Sequence, residues 1–429
     1  MLIVLIAFTV LLLMGMPVAF AIGISGMLFF LQHPELPVTI PIQLTVTETQ
    51  NFALLAVPLF ILAGNFMNNS GITQQLLQLA TVLTGRLYGG LAQVSIALST
   101  LMSGVTGSSI ADAAMNSRLL GAEMLKRGFS KGYAAGVLSF GSLMAPIIPP
   151  GIGFILYGTV GQVSIGRLFA AGIVPGLMLW AALALAISIT AKRRGYKPER
   201  DRLPTARELG LALWGGIWAI FFPIILLLGL RFGIFTPSEI GAFAVVYAIV
   251  IGVFAYRQLK RASFAAAIEG SLTDVGGVMF LLAMSGIFSY GIVFERIPEV
   301  VSRWILGLTD NPDLVMAVIV TFILLIGTFM EGSVMIIMLT PIFLPLVTQL
   351  GIDPVHFGLV FIIAATIGNY TPPVGGAMFV VCSILRCPIG DYTRESLPFL
   401  IAVSAVTLLL IFVPEVVLFV PDLIFGRER

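Results

Sequence analysis

The sequence predicts an all-α polytopic membrane protein built as two inverted-topology repeats, each with a re-entrant helical hairpin and a broken transmembrane helix. Three observations carry that prediction. The chain is 58% hydrophobic and only 10% charged over 429 residues, a balance foreign to soluble domains. Its second half falls on its first at a shift of 223–224 residues, Ser109 meeting Ser333 at 224. Its Lys and Arg gather in a few clusters, which shows which loops share a side.

Apolar runs long enough to cross about 30 Å of hydrocarbon recur along the chain. The run from Leu2 to Leu31 is too long for a signal peptide and lacks a basic start and an A-x-A site, so it reads as a first span. Basic clusters at Lys126, Arg127 and Lys131, from Lys192 to Arg207, at Arg257, Lys260 and Arg261, and at Arg386 and Arg394 face the cytoplasm. The loop 32–51 has no Lys or Arg and faces out, as does 351–356. The path then has spans at 2–31, 52–67, 132–160, 168–190, 209–231, 237–256, 275–292, 357–384 and 397–418. Segments 92–126 and 314–349 each start and finish on one side, which makes them hairpins. The N-terminus falls inside and the C-terminus outside, although the closing "GRER" fits an outer end poorly. Segments 70–90 and 257–274 mix apolar and polar residues at helical spacing and read as interfacial helices. The first repeat covers 1–190, a basic cytoplasmic loop 191–208, and the second repeat 209–420.

The repeat shows residue by residue. A shift of 223 lays Gly128 on Gly351, Pro149 and Pro150 on Pro372 and Pro373, Gly153 on Gly376, and Pro175 on Pro398. Pro-Pro inside an apolar run breaks a helix, and non-helical backbone at membrane depth persists only where protein or a water-filled cavity satisfies it. Matching breaks in two inverted repeats point to a binding site near the midplane. A pair of proline kinks without a ligand is the competing reading; the mirrored placement argues against it.

The first hairpin tip gathers Ser103, Thr106, Ser108, Ser109 and Asp112 within ten residues. Hydroxyls, carbonyls and one carboxylate are hard oxygen ligands suited to Na⁺, and an intramembrane carboxylate usually has a purpose or a partner. Facing carbonyls at the first break, Pro149 and Gly151 among them, complete that site. The second tip offers Gly327, Thr328, Glu331 and Ser333 against Gly368 and Thr371 of the second break. Asn369 and Gly375, between the two sites, are candidates for substrate. Arg118 is a counter-ion for Asp112 or Glu123, or else a clamp for a substrate carboxylate. Cys382 and Cys387 read as packed; with His33 and His356 remote, there is no zinc spacing and no disulfide framework. A net charge of +2 implies no nucleic-acid partner. No organic cofactor is expected.

The stretches "PLFILAG" (58–64), "GSSIAD" (107–112), "PIIPPGI" (146–152), "FTPSEIGAFAVVYA" (235–248), "GIDPVHFG" (351–358) and "NYTPPVGG" (369–376) resemble the large membrane subunit of tripartite ATP-independent periplasmic (TRAP) transporters. The likeness runs over essentially the whole chain. It implies a bacterial inner-membrane protein that takes up organic acids on a sodium gradient by an elevator mechanism, in the broad ion-transporter architecture. It also implies two partners, a small four-helix membrane subunit and a soluble periplasmic binding protein. By that resemblance the hairpin-one serines with Asp112, and Glu331 with Ser333, line two sodium sites. "MNSR" (115–118) departs from the expected small residues, and Glu331 stands where a shorter acid is also familiar. No small subunit is expected ahead of the first helix. A stand-alone sodium–anion symporter remains open on the residues alone. An enzyme is disfavoured by the lack of H-E-x-x-H and G-x-S-x-G, and a channel by the mirrored breaks.

Overall fold

A computed structural model describes residues 2–50 and 52–427, and within them the chain forms helices and no strands. The N-terminal run is not one span. Helix Leu2–Leu13 ends at Gly15, which takes φ +82° while Met16 N–H reaches back to the Leu11 carbonyl at 3.1 Å; Pro17 then opens helix Val18–Gln32. This left-handed glycine cap reverses the chain. The contacts prove the reversal. The Phe20 ring meets Phe280 at 5.0 Å and the Phe29 ring meets Phe294 edge-on at 5.6 Å, so Val18–Gln32 runs parallel to helix Arg261–Phe294. In a straight helix Phe8 would lie twelve residues before Phe20, near the level of residue 268; instead its ring sits 5.6 Å from Phe288. Leu2–Leu13 therefore starts on the same side as His33, and the expected inside N-terminus is corrected.

Two further expectations change. The outer loop 32–51 is helical over Thr39–Gln50, and that helix lies at 55° to the helical stretch Phe52–Asn68; Asn51 lies outside the described residues. The interfacial helix at 257–274 does not exist separately, because helix Arg261–Phe294 runs through it without a break. Near the end, helix Ile389–Phe412 stops before Pro414, and Pro414–Phe425 turns back against Ile165–Ala171, where buried Arg167 holds Asp422 at 3.0 Å. The last two residues of "GRER", Glu428 and Arg429, lie outside the described residues.

Helices pair on either side of both polar tips and both Pro-Pro breaks. The first hairpin is Leu91–Thr106 and Ser109–Lys126; the second is Pro312–Gly327 and Gly332–Gln349. The first broken helix is Lys131–Gly141 and Ile152–Val160; the second is Pro354–Gly368 and Gly376–Leu385. Ser109–Lys126 and Gly332–Gln349 start and finish at one shift of 223, and so do the starts Lys131 and Pro354. Helix Ile72–Thr84 has a counterpart near the same shift, Ile297–Leu306, an amphipathic helix that the sequence pattern does not single out. Among the described residues, six helices are long and apolar enough to cross a membrane, one of them, Gly332–Gln349, being half of a hairpin.

Burial separates two parts. Every residue from Val355 to Gly368 is buried, as expected for a helix apolar all round inside a protein core. Ala206–Arg231 is only 33% buried over its apolar window and leaves Trp214, Phe221 and Leu228 exposed, as lipid-facing residues would be.

Candidate functional site

Each hairpin turns over at a capped helix start. Gly107 takes φ +59°, and Ser108 caps the outgoing helix by accepting from Ala111 N–H at 3.5 Å. Glu331, at a shift of 223 from Ser108, caps the second outgoing helix: its carboxylate accepts from Ser333 N–H at 2.9 Å and from the Ser333 hydroxyl at 3.1 Å. Two 18-residue helices thus point their N-termini, with partial positive charge, at one place.

The tips dock on the breaks through glycine. A Cβ on Gly107 would stand 2.9 Å from the Pro150 carbonyl oxygen, and one on Gly104 3.6 Å from that of Pro149. A Cβ on Gly368 would come within 2.5 Å of Gly327 Cα, so the two backbones touch. The Thr328 carbonyl accepts from Val374 N–H (3.2 Å) and Gly375 N–H (2.9 Å). Both Pro-Pro bonds, 149–150 and 372–373, are cis. Tyr370 fastens the second break to the first helix half: its hydroxyl meets Ser142 Oγ at 3.0 Å, and Tyr392 O–H donates to its carbonyl at 2.8 Å.

Between the tips lies a cavity of about 480 Å³. Of the sequence-predicted residues it gathers Thr106, Ser108, Ser109, Glu331, Ser333 and Asn369. Its other wall, unforeseen, is Asn65 and Asn68 of helix Ala56–Asn68 and Asp274 of helix Arg261–Phe294; Asn65 donates to Asp274 at 3.3 Å. No Lys, Arg or His lines it among the described residues. Pro149, Gly151, Gly327, Thr328, Gly368, Thr371 and Gly375 build the docked tips and breaks rather than the cavity wall. Ser103 is buried and donates to the Thr100 carbonyl at 2.5 Å.

Asp112 sits one turn behind the tip, fully buried. Its Oδ2 accepts from Ser99 at 2.6 Å and Asn116 at 3.0 Å, and Asn116 also donates to Ser99 at 2.7 Å. Its Oδ1 and the Asn116 Oδ1 are buried without a partner. Arg118 forms no bridge to it: Arg118 is exposed, outside the cavity lining, and Glu123 pairs with Arg127 at 3.1 Å instead. The reason is helical phase, since Asp112 and Asn116 are one turn apart on the inner face and Arg118 is rotated away from both. Asn116 at i+4 from Asp112 is a signal present in the sequence. So are Asn65 and Asn68, three residues apart in an apolar helix. Asp274 is hidden when its helix is ended too early.

Comparison with known proteins places these features. Residues 5–416 match the family model described as "Tripartite ATP-independent periplasmic transporter, DctM component". The chain is 34% identical over 404 residues to the 2,3-diketo-L-gulonate TRAP transporter large permease of Escherichia coli (strain K12), covering 94% of this chain and 95% of that one. It is 32% identical over 418 residues to the sialic acid TRAP transporter large permease of Vibrio cholerae, with 97% of each chain covered. Its fold is similar to the YdaH transporter of Alcanivorax borkumensis, at a TM-score of 0.64, 16% identity and 86% coverage of both chains. With the family model spanning nearly its whole length, the chain belongs to the DctM component family, the large permeases of tripartite ATP-independent periplasmic transporters.

Proposed function

We propose that this chain is the permease of a sodium-coupled carrier importing organic acids across a bacterial inner membrane. A small four-helix membrane subunit stands beside it, and a periplasmic binding protein delivers the substrate. The cavity between the hairpin tips carries this reading. An organic anion there meets two carboxylates, Glu331 and Asp274, and no base in the lining. Like charges about 4 Å apart repel by roughly 1–4 kcal/mol at the dielectric constants of water or of a protein surface. A cation entering with the anion offsets that repulsion.

The oxygen-rich tips fit Na⁺. The unpartnered, buried Oδ1 atoms of Asp112 and Asn116 are acceptors that lack a positive partner, which is what a hard cation supplies. At the first tip, Thr106, Ser108 and Ser109 with the Pro149 and Gly151 carbonyls would hold one ion. At the second, Glu331 and Ser333 with carbonyls of Gly327, Thr328, Gly368 and Thr371 would hold another. The relatives' names, diketogulonate and sialic acid, support an organic acid as the cargo.

An elevator motion is supported by close, small-residue contacts between the hairpin and the helices behind it. A Cβ on Gly104 would lie 2.8 Å from Pro223, and one on Gly64 2.7 Å from the Val105 carbonyl. Small residues at such contacts let the backbones approach closely without interlocked side chains to be withdrawn.

The test is uptake of small carboxylates into proteoliposomes holding this chain and the small subunit, with and without an inward Na⁺ gradient and the binding protein. Uptake needing both supports the tripartite reading. Uptake needing sodium but no binding protein makes the chain a stand-alone symporter, and uptake indifferent to sodium overturns the coupling.

A further inference from the structure

We propose that Tyr370 is a positioning residue that couples the two hairpin tips: a cation at the first tip fixes the Tyr370 hydroxyl, and the neighbouring Asn369 is thereby set at the second. The proposal rests on the reading that each tip holds a sodium ion.

Asn369 and Tyr370 are adjacent in the second break and reach in different directions. Asn369 lines the cavity, and a Cβ on Gly332, the first residue of the second outgoing helix, would stand 3.7 Å from its amide nitrogen. The Tyr370 hydroxyl instead meets Ser142 of the first break at 3.0 Å and stands beside Ser109 of the first tip, on the helix that carries Asp112. The Tyr370 side chain is fully buried, its ring 5.4 Å from that of Phe140, and its carbonyl accepts from the Tyr392 hydroxyl at 2.8 Å. With the side chain held at both ends, a shift of Ser109 on ion binding passes to residue 369 across one peptide bond instead of being absorbed by a loose side chain.

The duplicated plan separates this role from plain packing. At the shift of 223, Tyr370 falls on Ile147, Ser142 on Ala365, Ser109 on Gly332, Asp112 on Met335 and Asn116 on Leu339. Ser99 falls on Val320 at the shift of 221 that aligns Leu91–Thr106 with Pro312–Gly327. The second repeat thus builds the same hairpin and break with no polar side chain at any of these places. Ile147, Val320 and Met335 are buried, as are the residues they mirror. Burying polar groups costs free energy where apolar ones would serve, so the fold alone does not call for this network. It joins Asp112, Asn116 and Ser99 behind the first tip, and Tyr370 extends it to the second repeat.

The experiment is equilibrium binding of radioactive Na⁺ to the full chain in lipid nanodiscs, with choline chloride holding the ionic strength constant. The unaltered chain is expected to bind one ion per tip with a Hill coefficient above one, since coupled sites fill together. Tyr370→Phe keeps the ring and loses the hydroxyl. It is expected to bind as many ions with a Hill coefficient of about one. Its melting temperature without sodium is expected to fall by no more than about 3 °C, the weight of one hydrogen bond. Loss of packing alone would lower stability without separating the two sites. If Tyr370→Phe is less stable than that, Ser142→Ala, which leaves the ring in place, takes its part with the same expectation. A Hill coefficient unchanged in the variant overturns the role of Tyr370. A coefficient of about one in the unaltered chain overturns the coupling, and in both cases the sodium reading stands. If the unaltered chain binds no sodium, the sodium reading itself falls, and this proposal with it.

Discussion

Asp112 owes its cost to its immediate neighbours in the chain and its partners to helices folded against it. A carboxylate inside an apolar hairpin is expensive enough to announce a site from sequence alone. Its partners, Ser99 and Asn116, are set by which helix face turns inward, and thirteen residues separate Asp112 from Ser99. Replacing it with Asn keeps the volume and removes the charge. Sodium-dependent uptake by Asp112→Asn is expected to fall at least tenfold, with the protein still inserted and folded by size-exclusion profile. Uptake with the native sodium dependence would remove Asp112 from the cation machinery. Asp274 teaches the opposite lesson, since its role depends on helix Ala56–Asn68 meeting helix Arg261–Phe294, which no local pattern in either helix displays.

At the scale of elements, the hairpins and broken helices are legible because their signals are local. Pro-Pro stops a helix wherever it falls, and a polar tip between two apolar runs of equal length can only turn back. The N-terminal pair is not legible in this way. Thirty apolar residues look like one long span, while the reversal rests on a single glycine cap at Gly15 and the proline after it. Helix Arg261–Phe294 is longer than its pattern suggests for a related reason: polar residues near its start imply an interface, yet backbone hydrogen bonding continues through them. The docking of the second tip gives a sharp test of element packing. Gly368→Ala would drive a methyl group into the Gly327 backbone at 2.5 Å, where neither chain can yield. A loss of about 1–3 kcal/mol is expected, typical of overpacking, read as a lower melting temperature together with lost uptake. Gly390→Ala, a helical glycine with nothing within 4 Å of its Cβ, is the control expected to leave both unchanged.

For the whole molecule, the path through the membrane and the proposed motion are each open to a direct measurement. A cysteine at position 35 and one at position 197 are expected to react with impermeant reagents from opposite faces of the membrane. Labelling of both from one face would break the inverted arrangement. The motion can be stopped. A Cβ on Gly104 would lie 2.8 Å from Pro223 Cγ, where the hairpin passes helix Ala206–Arg231, so a cysteine pair at positions 104 and 223 is the cross-link to try. Oxidation is expected to abolish uptake by the double variant and a reductant to restore it, with Pro223→Cys alone insensitive to both. Full-rate uptake with the cross-link formed would mean that hairpin one does not move against that helix.

The membrane class, the doubled plan, the two hairpins, the two breaks and the oxygen chemistry at the tips are all written in the order of the amino acids. Each follows from composition or from a backbone rule that acts within a few residues: hydropathy over a span, proline's missing N–H, glycine's free φ. Packing settles the rest: which tip residues share a cavity, that Asp112 turns inward to Ser99 and Asn116 rather than to Arg118, and that Asn65, Asn68 and Asp274 close the opposite wall. Those are contacts between residues as much as 209 positions apart. They depend on the rotational phase and crossing of whole helices, and an apolar helix in a bilayer can present any face until its neighbours choose one.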